Sequence, residues 1–169
     1  MSELPIEVDP QLLGAVIRAT RAGFQMAGID PRPVGCSTAG PRGQEIAVVV
    51  GLVGRRNGTV TLHLSRPAVL YVAGRFLGAE VRECTAEVFD AAAEVANIVA
   101  GRLKGELGGE RYGITHISCP SMIVGADYHV HSLRGFGTVS VEFEIGGLPM
   151  VLSRERLIST TVGLSQGPQ

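Results

Sequence analysis

The chain has 169 residues, 45% of them hydrophobic and 18% charged, with a net charge of −1 and a mean hydropathy of +0.25. That length suits one domain able to bury a core without staples, and the composition excludes a disordered chain, which would be poor in apolar residues and rich in charge. Near-neutrality argues against general nucleic-acid binding, which needs a basic surface, and 5% aromatics with no Trp leaves little for base stacking.

The opening MSELPIEVDP is acidic and has no apolar core of the signal-peptide kind. The longest apolar stretches fall short of the ~20 residues of a membrane span. A cytoplasmic protein with no membrane partner is expected. Cys36, Cys84 and Cys119 are far apart and form no CxxC pair. Reduced thiols are expected, not a disulfide framework or a zinc site.

Asp9-Pro10 predicts a helix start, with Asp9 as N-cap and Pro10 in the first turn. Leu12, Leu13, Val16, Ile17, Ala19, Thr20, Phe24 and Ala27 recur at helical period, and Gly28 ends the pattern. Residues 35–44 read as a loop or a weak edge strand. Residues 45–54 and 59–64 read as strands joined by Arg55-Arg56-Asn57-Gly58, where Asn-Gly is a hairpin signal. The two arginines are expected at a solvated tip. Ser65-Arg66-Pro67 opens a short helix closed by Gly78, and residues 85–107 form a long helix stopped by Gly108-Gly109.

Further strands are expected at 114–117, 121–124, 128–133, 137–145 and 149–154, with Gly146-Gly147 as a hairpin turn between the last two. The polar tail from about Ser159 is expected to fray. The whole is an α+β layout, helices packed on a mainly antiparallel sheet. It is expected to be a single domain over 1–169, with its core at about 10–157.

On a helical wheel of the long helix, Val88, Ala92, Val95, Ala96, Val99 and Leu103 share one side. Glu94, Asn97, Gly101 and Lys104 share the other, with Glu94 and Asn97 one turn apart. Ala91, Ala93, Ala100 and Gly101 surround the pair and are expected to leave its face low and open. Ile98 lies beside this polar face, where an isolated monomer gives an apolar group no reason to be. Taken alone, a Glu and an Asn on a helix face usually mean only solvation, although Asn is mildly unfavourable mid-helix.

Residues 89–101, FDAAAEVANIVAG, resemble the signature helix of the CheX/CheC/FliY chemotaxis phosphatases, roughly D-A-x-G-E-x-x-N-M-I-A-G-N-A-K. The strand 58–64 leading into RPAVLYVAGRFLG (66–78) looks like the family's strand, helix and Leu-Gly ending. ISCPSMIVGADYHV (117–130) looks like its S-x-P-x-V-I-x-G segment. The three segments occur in the family's order across residues 10–155. The CheX branch fits best: CheC carries two Glu-x-x-Asn helices, and 66–78 has no such pair, while FliY carries additional segments. The resemblance implies the CheX/CheC fold, often dimeric.

It further implies a phosphatase acting on the aspartyl phosphate of a CheY-like receiver domain. Glu94 and Asn97 match the two active-site positions. An Asn amide can both donate and accept, so Asn97 would hold the attacking water in line with the P–O bond. Glu94 would anchor the receiver's active-site Lys. The Mg²⁺ would belong to the receiver, and this chain would need no cofactor or metal of its own. Ile98, Gly101, Arg102 and Lys104 would belong to the docking surface. The sequence departs from the pattern in having Ala93 for Gly, Ile98-Val99 for Met-Ile, Arg102 for Asn and Leu103 for Ala.

Two other readings remain open: a module that docks a receiver without accelerating hydrolysis, and a structural homodimer of a signalling assembly pairing through the apolar strand 46–53. His129 and His131 alternate, as if on one strand face, without an evident third metal ligand. Ser118-Cys119-Pro120-Ser121 reads as turn chemistry, since no G-x-S-x-G elbow surrounds it.

Overall fold

The computed structural model describes residues 8–41, 44–126, 128–131, 134–148 and 153–167. In chain order these form α1 (Pro10–Gln25), β1 (Arg32–Ser37), β2 (Ile46–Gly54), β3 (Gly58–Leu64), α2 (Arg66–Leu77) and α3 (Ala86–Glu106). There follow β4 (Ile114–Ile117), β5 (Ser121–Val124), β6 (Phe136–Glu144), a 3-10 turn (Ser153–Arg156) and β7 (Leu157–Ser165).

The helix boundaries are set locally. The Asp9 carboxylate accepts from the Gln11 and Leu12 amides and caps α1. Ser65 caps α2 through the Ala68 amide, and Gly78 ends it in the left-handed region at φ 67. Thr85 caps α3 through the Val88 amide, with Glu87 in the first turn and Lys104 in the last, as the helix dipole favours.

The strands form one antiparallel sheet in the order β1-β6-β7-β3-β2-β4, with β5 also on β2. Alternation sends every second side chain to the helical layer. One register row crosses the sheet as Cys36, Val141, Thr160, Leu62, Val48 and Met122. Thr160 is the polar member of that row's buried part. Its hydroxyl meets Thr20 of α1 at 2.9 Å, and Thr20 also bonds the Val16 carbonyl at 2.8 Å.

The other face is polar yet closed at its centre. Thr61, His63, Ser140, Ser159 and Thr161 are all buried there. Ser140 and Thr161 share a hydrogen bond of 2.8 Å. His63 Nδ1 is 3.1 Å from the Tyr128 hydroxyl, and the two rings stack with centroids 6.0 Å apart. Tyr128 therefore lies over this face, and residues 128–131 belong to no strand.

Several expectations change here. The tail beyond Ser159 is not frayed: β7 runs to Ser165, between β6 and β3, with Ile158, Val162 and Leu164 in the core. Its polar Ser159-Thr160-Thr161 run looks like a solvated tail in sequence, but in the fold Thr160 meets Thr20 on one face and Thr161 meets Ser140 on the other. The strand expected at 128–133 is absent from 128–131, and 132–133 lie outside the described residues. Of 149–154, residues 149–152 lie outside the description and the rest begin the 3-10 turn. Gly147 does turn, at φ 85, but Glu144 pairs with Leu157, so the connection is a long loop and not a tight hairpin. The edge strand β1 starts earlier than expected, at Arg32. Strand β2 cannot pair across a two-fold, because β3 fills one side and β4 and β5 the other. The arginine tip is not merely solvated: Arg55 donates to the Glu110 carbonyl, and Arg56 stacks on Tyr112.

Burial pushes the His63 pKa down from 6.5 to about 4. Between those values the unfolded chain takes up a proton that the native state refuses, so stability is complete above pH 6.5 and falls as pH drops toward 4. The loss from this group should total about 3 kcal/mol. Urea unfolding at steps between pH 7 and pH 4.5 should show this slope, and His63→Leu should lower the slope by one proton.

Candidate functional site

Helix α3 carries the candidate pair. All six residues expected on its inner side are buried, joined by Ala91 and Ala100. These two alanines therefore belong to the packing and not to the open face, a correction to the expected surround. Ala93 and Gly101 are half-buried beside the pair. The helix lies between α1 and α2 and over β2 and β4.

The contact with α1 is unusually close. A Cβ built on Gly23 would stand 2.5 Å from Val99 Cγ2 and 3.3 Å from the Val95 carbonyl oxygen. Only glycine permits that approach. It presses Val95 and Val99 inward and turns the opposite arc of α3 to solvent. No sequence motif marks Gly23, because helical periodicity does not show which position of one helix meets another.

On the outward arc Glu94 is exposed and Asn97 half-buried. Neither side chain has a hydrogen bond or ion pair among the described residues, so both keep their bonding capacity for a partner. A Cβ on Gly101 would meet nothing within 4 Å, which leaves open space one turn beyond Asn97. Arg102 and Lys104 are exposed farther along the same helix. Ile98 is half-buried but stands outside the set of apolar side chains packed on the core. The six residues singled out from sequence thus share one outward helix surface.

The surface is not a cleft. A cavity of about 600 Å³ lies along α2, lined by residues such as Leu70, Tyr71 and Val81, and another of about 360 Å³ lies by Asp9 and Tyr112. Neither is lined by Glu94 or Asn97. An exposed pair on a flat helix suits a macromolecular partner, which itself supplies the walls of the site.

Among the described residues, no group of three or more His, Cys, Asp or Glu side chains is placed to hold a metal ion. His129 and His131 do come together, with ring centroids 5.9 Å apart, but as exposed loop residues and not on a strand. Ser118 Oγ accepts from the Gly51 amide at 2.8 Å and donates to the Cys119 carbonyl, so it ties the β4–β5 turn to β2. No helix is long and apolar enough to cross a membrane.

Three helices on one face of an antiparallel sheet, with α3 in the middle, make up the CheX/CheC fold. The family model "Chemotaxis phosphatase CheX" matches residues 46–144, a stretch that contains α3 and the pair. The chain belongs to the CheX family.

Solved structures agree with the fold. CheX from Desulfovibrio desulfuricans superposes with a TM-score of 0.76 at 20% identity, over 92% of this chain and 99% of that one. A CheC-like protein from Shewanella sp. PV-4 gives 0.77 at 14% identity, over 94% and 99%. The CheX–CheY–BeF3–Mg complex from Borrelia burgdorferi gives 0.72 at 20% identity, over 95% and 100%. No curated protein sequence matches the chain.

The same substitution at two glycines should have opposite effects. Gly23→Ala drives a Cβ into Val99 and should cost about 1–3 kcal/mol. Gly101→Ala adds a methyl to open space in a helix interior and should stabilise by about 0.5–1 kcal/mol. Urea denaturation midpoints of the two variants test the pair of signs.

Proposed function

We propose that this protein hydrolyses the aspartyl phosphate of a CheY-like receiver domain, with Glu94 and Asn97 as its working residues. The observation that carries the reading is the pair itself: two polar side chains one turn apart on an outward helix face, neither engaged within the described residues. Membership in the CheX family supports it, as does the fold shared with a CheX protein crystallised on CheY with BeF3 and Mg.

The chemistry needs little from this chain. Water attacks phosphorus in line with the P–O bond to the receiver's aspartate, the carboxylate leaves and inorganic phosphate is released; what limits the rate is placing that water. The Asn97 amide oxygen accepts a hydrogen bond from the water and its NH2 donates to a neighbouring oxygen, so it orients the water without being a base. Glu94 meets the receiver's active-site Lys in a charge-assisted contact that water exclusion at the interface strengthens. The receiver's own Mg²⁺ neutralises the phosphoryl oxygens, so the chain contributes no metal ligand or cofactor. Gly101 gives the receiver room to approach, while Ile98, Arg102 and Lys104 contact its rim. Arg102 is long and charged where the family has Asn, and it biases which receiver fits.

Asn97→Ala should reduce phosphate release from a phosphorylated receiver by about 100-fold, with docking to its beryllofluoride form little changed. Glu94→Ala should weaken docking itself. Gly101→Leu should fold normally yet lose activity by obstruction. Release that Asn97→Ala leaves undiminished, or that the wild-type chain never accelerates, would instead indicate a docking module. Stopped-flow phosphate release and titration of the beryllofluoride receiver make the measurements.

We also propose a homodimer, joined through an outer strand and not through β2. Strand β1 is exposed along its whole length, and Ile123 and Val124 of β5 are exposed on the opposite side of the sheet. Light scattering should give twice the chain mass. Val34→Lys in β1 or Val124→Lys in β5 should halve it, and a wild-type monomer would overturn the proposal.

A further inference from the structure

We propose that the cleft at the β2–β3 turn, walled by Tyr112 and Phe136, binds a small organic carboxylate whose charged end is held by Arg56. The cleft encloses about 360 Å³ and lies beyond the C-terminal end of α3. Asn97 lies nine residues, roughly 13.5 Å along the helix axis, before that end. The cleft is thus a second site, and its test does not depend on the phosphatase reading.

The argument begins with an imbalance of charge. Asp9 is the acidic residue lining the cleft, and its bonding capacity is already spent. One carboxylate oxygen accepts from the Gln11 and Leu12 amides. The other accepts from Arg111 Nη2 at 3.0 Å and from the Tyr112 hydroxyl. Two oxygens with four hydrogen bonds have nothing left for another donor. Arg111 is neutralised by this arrangement, and it also donates to the Gln11 side chain.

Arg56 is left over. Its guanidinium carbon lies 5.4 Å from the centroid of Tyr112, and Arg111 lies 5.3 Å from the same centroid. Among the described residues the Arg56 side chain has no carboxylate and no hydrogen-bond acceptor. Its backbone amide is fixed by the Tyr112 carbonyl at 3.1 Å, so the residue is held in place at the cleft. It is half-buried although charged. Gly167 lies beside the Arg56 Nε and Nη2 atoms and, having no side chain, leaves room there. A guanidinium over an aromatic face can make a two-pronged contact along an edge of its plane, and that geometry matches a carboxylate.

The remaining lining selects the class of anion. Leu12, Val139 and Leu164 are buried core residues that also face the cleft, and Phe136 is partly exposed at its wall. An inorganic anion would leave this apolar lining unused. A carboxylate with a compact apolar or aromatic body fills both parts, and the volume lies in the lower range of small-molecule pockets.

The probe is benzoate, titrated into the full chain and followed by the Arg56 Nε–Hε resonance and the Tyr112 and Phe136 ring signals. Saturable shifts with Kd on the order of 1 mM or tighter are expected, with a rise in the melting temperature that follows benzoate concentration. Arg56→Met keeps the stem and should weaken binding at least about tenfold, and Arg56→Lys should fall between. Inorganic phosphate over the same range should shift none of these signals. Absence of saturation by benzoate overturns the proposal. So does unchanged affinity in Arg56→Met, or phosphate binding as tightly as benzoate, which would mark a bare anion site. Should Arg56→Met fail to fold, the Arg56→Lys variant and the wild-type ring shifts decide the outcome.

Discussion

The structure depends on how α3 is turned about its own axis. That rotation is set where Gly23 of α1 lies against Val95 and Val99 with no side chain between. Once these valines are pressed inward, the arc that holds Glu94, Asn97 and Gly101 has only solvent to face. A bulkier residue at position 23 would push α1 away or roll α3. Either change would move a pair whose usefulness lies in its direction. The sheet makes the second constraint, because Val48, Val50 and Leu52 of the interior strand β2 build the floor below α3.

A site of this kind is half a site. Two polar side chains on a convex helix make no cavity, exclude no water and perturb no neighbour. On the proposed reading, their value appears when another protein closes over them and lowers the local dielectric. Two cavities lie elsewhere, along α2 and beyond the end of α3. On that reading the open space above Gly101 matters as much as the two polar groups. On the proposed reading, the reaction's charged components reside in the receiver, and this chain contributes geometry.

The two faces of the sheet solve different problems. The helical face is aliphatic, and its one buried hydroxyl row meets Thr20. The opposite face buries serine, threonine and histidine side chains: Ser140 and Thr161 bond each other across strands and His63 Nδ1 meets the Tyr128 hydroxyl, while Ser159 Oγ and His63 Nε2 have no partner among the described residues. His63 remains neutral there because burial disfavours its charged form. Strand β7 lies between β6 and β3 and contributes to both faces. Its Thr160 points toward the helices while Ser159 and Thr161 point away, so its polar residues are interior residues.

Much was readable from the amino-acid order, since it rests on interactions within a few residues. Asp9, Ser65 and Thr85 cap helices through amides two or three positions on, and Gly78 ends one through its own backbone freedom. Asn57-Gly58 turns a hairpin, and helical period places Glu94 and Asn97 on one face of α3. Those local rules, with the resemblance they support, determined the α+β class, most element boundaries and the candidate pair. Tertiary structure decided what depends on distant partners. It made β7 a central strand because Ser140, Thr20 and the strands β3 and β6 receive its polar groups. It closed β2 on both sides, buried Ala91 and Ala100, and left Arg56 with an aromatic face but no counter-charge among the described residues. A residue's pattern reports the contacts its near neighbours can make, whereas burial of a polar strand or an unpaired charge is fixed by groups brought together only by folding.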